Sequence, residues 1–143
     1  MTIDCLTDPP GRLRHVLRIG PHTLVADTPL EAGGDASGPS AHDYFDASLA
    51  VCMAQTGILY ARLHGIRLDR VSVHVDRDDS REREGRYVLG VVVGFEGDLT
   101  APQRARILGI LGRCPVHRLM TDTTIEIRTL GRRDEVEFTP LPD

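Results

Sequence analysis

Three cysteines stand in the 143 residues, and two of them, Cys52 and Cys114, sit where sulfur could do chemistry. Cys114 opens a Cys-Pro-Val-His run that closes on His117. Proline suits the first position of a helix, so Cys114 is expected to cap a short one. Its sulfur would then face helix N–H groups and the positive end of the dipole, a setting that lowers a thiol's pKa. A charged His117 turned back toward the sulfur would add to this. The plainer reading is a half-buried cysteine before a proline, and spacing alone does not choose between the two. Cys52 lies sixty-two positions earlier, inside an apolar stretch. A thiol there is ordinarily inert core unless a positive group reaches it from elsewhere. His42, Cys52, Cys114 and His117 also form a two-Cys, two-His set. Their spacings match no zinc finger or ribbon, and no metal or other cofactor is expected.

The element that must carry Cys52 is GPSAHDYFDASLAVCMAQTGILYARLHG, from Gly38 to Gly65. From Ala47 to Leu63 it is apolar on nearly every side, which calls for burial all round. Ser40 with Asp43 three positions on gives a weak capping box, and His64-Gly65 gives a stop. Before it, residues 1–11 read as a loose lead-in with Cys5 incidental, and 12–19 and 22–27 as two short strands turning at Gly20-Pro21. A bulge is expected in the first strand, where Leu13, Val16, Leu17 and Ile19 do not alternate cleanly. The glycine-rich segment 28–40 reads as an exposed connection. After the helix, Val71, Val73 and Val75 share one face of a strand over 68–76. Tyr87, Leu89, Val91, Val93 and Phe95 share one face of another over 86–95. The charged segment 78–85 between them reads as a solvated hairpin tip. Thr100 and Gln103 open a second helix that ends near Gly112, and Cys114-Pro115 opens a third through Met120. A last strand is expected over 123–130, with Val136 and Phe138 able to pair at an edge in the tail, 131–143. The sum is one α+β domain over 1–143.

Composition narrows the function. Lys and Arg number 17 against 21 Asp and Glu, for a net charge of −4, and aromatic residues are 4% with no Trp. Neither a basic face nor a base-stacking platform is present, so no nucleic-acid partner is expected. Ser48, Gln55, Thr56 and Gly57 interrupt the long apolar stretch, so no membrane span is expected. MTIDCLTDPPGR has neither the basic start nor the apolar run of a secretion signal, and a cytoplasmic location is expected. An odd number of cysteines argues against a disulfide scaffold.

The run Gly38-Pro39, Leu49-x-x-Cys52, then Cys114-Pro115-Val116-His117-Arg118, resembles the OsmC/Ohr family of thiol-dependent organic hydroperoxide reductases. Gly20-x-His22-x-Leu24, Ala26-Asp27-x-Pro29, Gly33-Gly34 and Tyr60-Ala61-Arg62 agree with it, and the likeness spans about residues 14–130. The resemblance implies an α+β fold of antiparallel sheets wrapped around a central buried helix, in an intertwined homodimer. It implies that Cys52 is peroxidatic and Cys114 resolving, with a small organic hydroperoxide as substrate and a dithiol, commonly lipoyl-based, as reductant. Family peroxidases carry a glutamate ten residues before the first cysteine, where it orients an arginine toward the thiolate. Here that position is His42, and the arginine falls to the N-terminal strand region, to Arg18 or its neighbours Arg12 and Arg14. Arg18 or His42 would then stabilise the thiolate. The alternative is a dimer of this fold that is no peroxidase and binds an apolar or electrophilic small molecule between its helices.

Overall fold

The structure, a computed structural model, describes residues 1–129. Two antiparallel sheets and three helices make the α+β architecture expected from the sequence. The first sheet is β1 (Ile3–Thr7), β2 (His15–Ile19) and β3 (His22–Ala26), in that spatial order. The second is the long hairpin of β4 (Arg67–Asp78) and β5 (Val88–Asp98). Between the sheets in sequence runs α1 (Ala41–Leu63), and α2 (Ala101–Leu111) and α3 (Pro115–Thr121) follow the hairpin.

The helix ends form where the cap residues stand. Ser40 and Asp43 exchange side-chain and backbone bonds at the start of α1, and Thr100 and Gln103 do the same for α2. Gly65 takes φ 64° one residue past the C-cap His64, a conformation glycine adopts without a Cβ clash.

Three expectations are corrected. Residues 3–7 are not a loose lead-in but the edge strand β1, pairing Ile3 with Ile19 through Thr7 with His15. Its residues are mostly exposed, so no alternation marked it in the sequence. The bulge falls not in β2, whose register is continuous on both sides, but between Leu68 and Arg70 of β4. Residues 123–129 form no strand, because no described segment pairs with them; Ile125 and Ile127 are left exposed. Residue 130, the tail 131–143, and with it the pairing expected of Val136 and Phe138, lie outside the described residues.

The core sits where α1 crosses the hairpin and meets α2. Leu49, Met53, Ile107, Leu111 and Cys114 are buried together, with Val71, Val73, Leu89, Val91 and Phe95 packed on them. Gly57 lets this crossing close tightly: a Cβ there would stand 3.2 Å from both Leu111 Cδ2 and Val71 Cγ2. The helix is not buried all round by this chain. Leu49, Met53, Gly57 and Ala61 recur every four residues on the buried face, whereas Val51 (54% exposed), Leu59 (59%) and Leu63 (74%) look outward.

The connection 28–40 is held by one buried carboxylate. Asp27 accepts from Thr28 N–H (2.8 Å), Asp35 N–H (3.3 Å), Ser37 N–H (3.0 Å) and the Ser37 hydroxyl (2.7 Å). Gly34 is pressed so close to the Thr28 carbonyl that no Cβ would fit. The Asp27 N–H bonds to the Pro39 carbonyl (3.1 Å) and the Tyr44 hydroxyl to the Val25 carbonyl (2.6 Å), so the start of α1 is pinned to β3. The Ser37 hydroxyl, then the backbone donors, hold the Asp27 carboxyl down at about 2 from an ordinary 3.8. Because the folded value is the lower one, this stabilisation is complete above pH 3.8 and disappears as pH falls through about 2. The Ser37 amide resonance, followed by NMR in acid, is expected to titrate with a midpoint of about 2. A midpoint at 3.8 would mean that the carboxylate does not hold the loop.

Candidate active site

Both sulfurs converge on the first turn of α3. Cys114 is its N-cap, as the Cys-Pro pair predicts, and accepts a hydrogen bond from His117 N–H at 3.4 Å. Cys52 reaches the same turn from mid-α1 and accepts from Val116 N–H at 3.5 Å. Consecutive backbone donors of one turn therefore serve the two thiols, which are near enough for Cys52 to raise the Cys114 pKa. They differ in access: Cys114 is fully buried and Cys52 only partly. The expected lowering of the Cys114 pKa does not occur. Burial pushes that thiol up, the neighbouring Cys52 adds to the rise, and the nearby His117 and Val116 amides offset it only in part. A helix start favours a thiolate only where water or charge can also reach it.

Beside the thiols opens a cavity of about 730 Å³. Leu49 and Met53, which flank Cys52 on α1, line one side, and Leu89 and Val91 of β5 the other. His117 and Met120 of α3 also border it. His42 stands at its rim, with its Nε2 3.0 Å from Glu82 Oε1 and its ring 6.1 Å from that of Tyr87. Glu82 belongs to a 3-10 turn, Glu82–Glu84, in the hairpin tip, so this contact ties the start of α1 to the tip. Ten residues of helix separate His42 from Cys52, a rise of about 15 Å, so its ring is not beside the sulfur. Arg18 is on β2, opposite Asp4 and Thr23, in a sheet apart from the cavity wall, while α1 packs chiefly on β4, α2 and α3.

Arg77 is held by two carboxylates at once. It lies beyond the 68–76 expected for this strand, yet it continues the inward face of Val71, Val73 and Val75 at period two. Arg77 Nε donates to Asp46 Oδ2 at 2.6 Å and Nη2 to Asp43 Oδ1 at 2.7 Å, while the Tyr87 hydroxyl donates to Asp46 Oδ1 at 2.9 Å. Asp46 is 8% exposed. Burial first, and then the bond to Asp46, raise the Tyr87 phenol to about 12, and the two aspartates push the guanidinium up. Asp46 lies about 120° around α1 from Cys52, so the cluster braces the hairpin against the helix and does not face the thiol. Among the described residues no group of three or more His, Cys, Asp or Glu is placed to hold a metal, and no helix is long and apolar enough to cross a membrane.

A family model described as OsmC-like protein matches residues 34–129, which include both cysteines. The chain belongs to the OsmC-like protein family. Solved structures agree on the fold. A protein from Psychrobacter arcticus 273-4, named for osmotic stress induction and a detoxification response, superposes with a TM-score of 0.72 at 20% identity, covering 85% of this chain and 89% of that one. An OsmC-like protein from Mycoplasma pneumoniae gives 0.69 at 15% identity, over 85% and 86%. The organic hydroperoxide resistance protein OhrB of Bacillus subtilis gives 0.59 at 18% identity, over 85% and 90%. A search of curated proteins finds no match. The OsmC-like match ends at residue 129, so it includes the unpaired segment 123–129.

Proposed function

We propose that this OsmC-like protein is a cytoplasmic thiol peroxidase that reduces small organic hydroperoxides and so protects against oxidative stress. The observation that carries this reading is one partly exposed sulfur and one fully buried sulfur held by consecutive amides of a single helical turn beside an apolar cavity. In the proposed cycle the Cys52 thiolate attacks the distal peroxide oxygen. An S–O bond forms, the O–O bond breaks, sulfur loses two electrons, and the alkoxide takes a proton from solvent to leave as the alcohol. Cys114 then gives up its thiol proton and attacks the sulfenic sulfur, forming the disulfide and releasing water. A dithiol, such as a reduced lipoyl group, returns two electrons and two protons. The exposed apolar side chains Val51, Leu59, Leu63, Ile125 and Ile127 support a second copy of the chain as the partner that covers α1.

The test is an intact-mass spectrum after one equivalent of cumene hydroperoxide, with free thiols trapped. Loss of two hydrogens, mapped to a Cys52–Cys114 link, is the expected result; an unchanged mass with Cys52 and Cys114 both still free would overturn the reading. The second reading, a binding protein without turnover, is favoured by one observation: among the described residues no arginine lines the cavity. It predicts that unchanged mass.

A further inference from the structure

The cavity beside the thiols has two unlike ends. Ala41, Phe45, Leu49 and Met53 line it at every fourth residue of α1, a stripe that rises about 18 Å from first to last. Met53 belongs to the end near Cys52. Ala41 and its neighbour His42 belong to the other end, at the hairpin tip, where Glu82 also lines the wall. Among the described residues that line the cavity, Glu82 is the one acid and none is an arginine; the chain has no lysine. The Glu82 side chain is 48% exposed, so its carboxylate meets both water and whatever enters. His42 Nε2 lies 3.0 Å from Oε1, and a neutral imidazole donating there leaves the negative charge in place. The guanidinium groups nearby are turned elsewhere: Arg81 bonds Glu84 at 2.7 Å, and Arg77 bonds Asp43 and Asp46.

We infer that Glu82 is a charge filter at the tip end of the cavity. A ligand that reaches from the thiols to the tip is accepted when its far end is neutral or cationic, and refused when that end is a carboxylate. Two carboxylates brought together there repel, and the apolar side chains Phe45, Leu89 and Val91 between the ends keep the repulsion stronger than in open water. A hydroxyl or an ammonium group donates to the same carboxylate instead. Dehydration disfavours an anion anywhere along the apolar wall, but only the repulsion depends on Glu82. The peroxidase reading sets no limit on the charge of the substrate. The inference rests on that reading for which end of the ligand reacts, and not for the filter itself.

The experiment measures binding without turnover, on the full chain with its cysteines reduced. Decan-1-ol, decanoate and decylammonium share one length and differ in charge, and each is titrated below its micelle concentration. The unaltered chain is expected to bind decanoate about tenfold more weakly than decan-1-ol, and decylammonium at least as well as the alcohol. Glu82→Gln, which keeps an acceptor for His42, should close most of the gap between alcohol and carboxylate. Glu82→Lys should make decanoate the tighter ligand. Ionic strength gives a second readout. Added salt should narrow the gap in the unaltered chain and leave it unmoved in Glu82→Gln, because screening acts on charge and not on dehydration. Equal affinity for decanoate and decan-1-ol in the unaltered chain would overturn the inference. So would a gap that both variants leave as wide, which would assign it to the apolar wall alone, or the absence of saturable binding by decan-1-ol. Failure of the peroxidase reading has a different signature: Cys52 and Cys114 still free after peroxide treatment, with this binding pattern intact.

Discussion

The Cys52→Ser protein is expected to lose hydroperoxide turnover by about 10³-fold or more, as removal of a nucleophile does elsewhere. The Cys114→Ser protein should fail differently, consuming one equivalent of peroxide and then gaining oxygen at Cys52 instead of forming a disulfide. The asymmetry follows from access. Cys114 is fully buried and its pKa is raised, so near neutral pH it is a protonated thiol that an incoming peroxide does not reach. Cys52 is partly exposed, accepts a backbone N–H, and neighbours the cavity through Leu49 and Met53. Mass spectra of the two variants and the unaltered chain after stepwise peroxide addition make the comparison. Turnover retained in Cys52→Ser and lost in Cys114→Ser would reverse the two roles.

The second large effect is on stability. Asp46→Ala is expected to cost about 2–3 kcal/mol, because it strips the acceptor from the half-buried Tyr87 hydroxyl and one of two carboxylates from Arg77. Asp46→Asn keeps an acceptor for Tyr87 and should cost less. As a control, loss of the exposed Arg81–Glu84 pair should cost no more than about 0.5 kcal/mol. Urea unfolding of the variants gives the differences. A second readout is the phenol of Tyr87, held at about 12 by burial and by Asp46, which should titrate lower in Asp46→Ala. Equal costs for Asp46→Ala and the Arg81–Glu84 control would make the Arg77 cluster an ordinary surface contact.

Local signals carried much of this fold. The cap pairs Ser40/Asp43 and Thr100/Gln103 were legible because a helix start is written within four residues. The alternating valines of β4 and β5 were legible because a half-buried strand repeats every two. β1 was not, since an edge strand with both faces largely exposed needs only backbone pairing. The meeting of Cys52 with the Cys114 turn came from family likeness, because contacts sixty-two residues apart leave no local trace. The Cys114 pKa was misjudged for the same reason: the helix start is local, and the burial that outweighs it is built by α1 and α2. Arg77 could have been found, since its place in the period-two pattern puts it inward, toward Asp43 and Asp46 on one side of α1.

The missing side chain at Gly57 acts as a spacer of fixed thickness. With 3.2 Å to Leu111 and Val71, a methyl added there requires those side chains to give by a few tenths of an ångström, and where they do not, α2 must move from α1. Leu111 is three residues ahead of Cys114, and the turn between them is held by the Cys114 N–H bond to the Leu111 carbonyl at 3.1 Å. A displacement of α2 is therefore passed on to the sulfur at the head of α3, whereas Cys52 stays with α1. Disulfide geometry tolerates only a narrow range of Cα separations, about 4.4–6.8 Å. Under the proposed cycle, the single hydrogen atom at Gly57 thus bears on whether Cys52 and Cys114 can join.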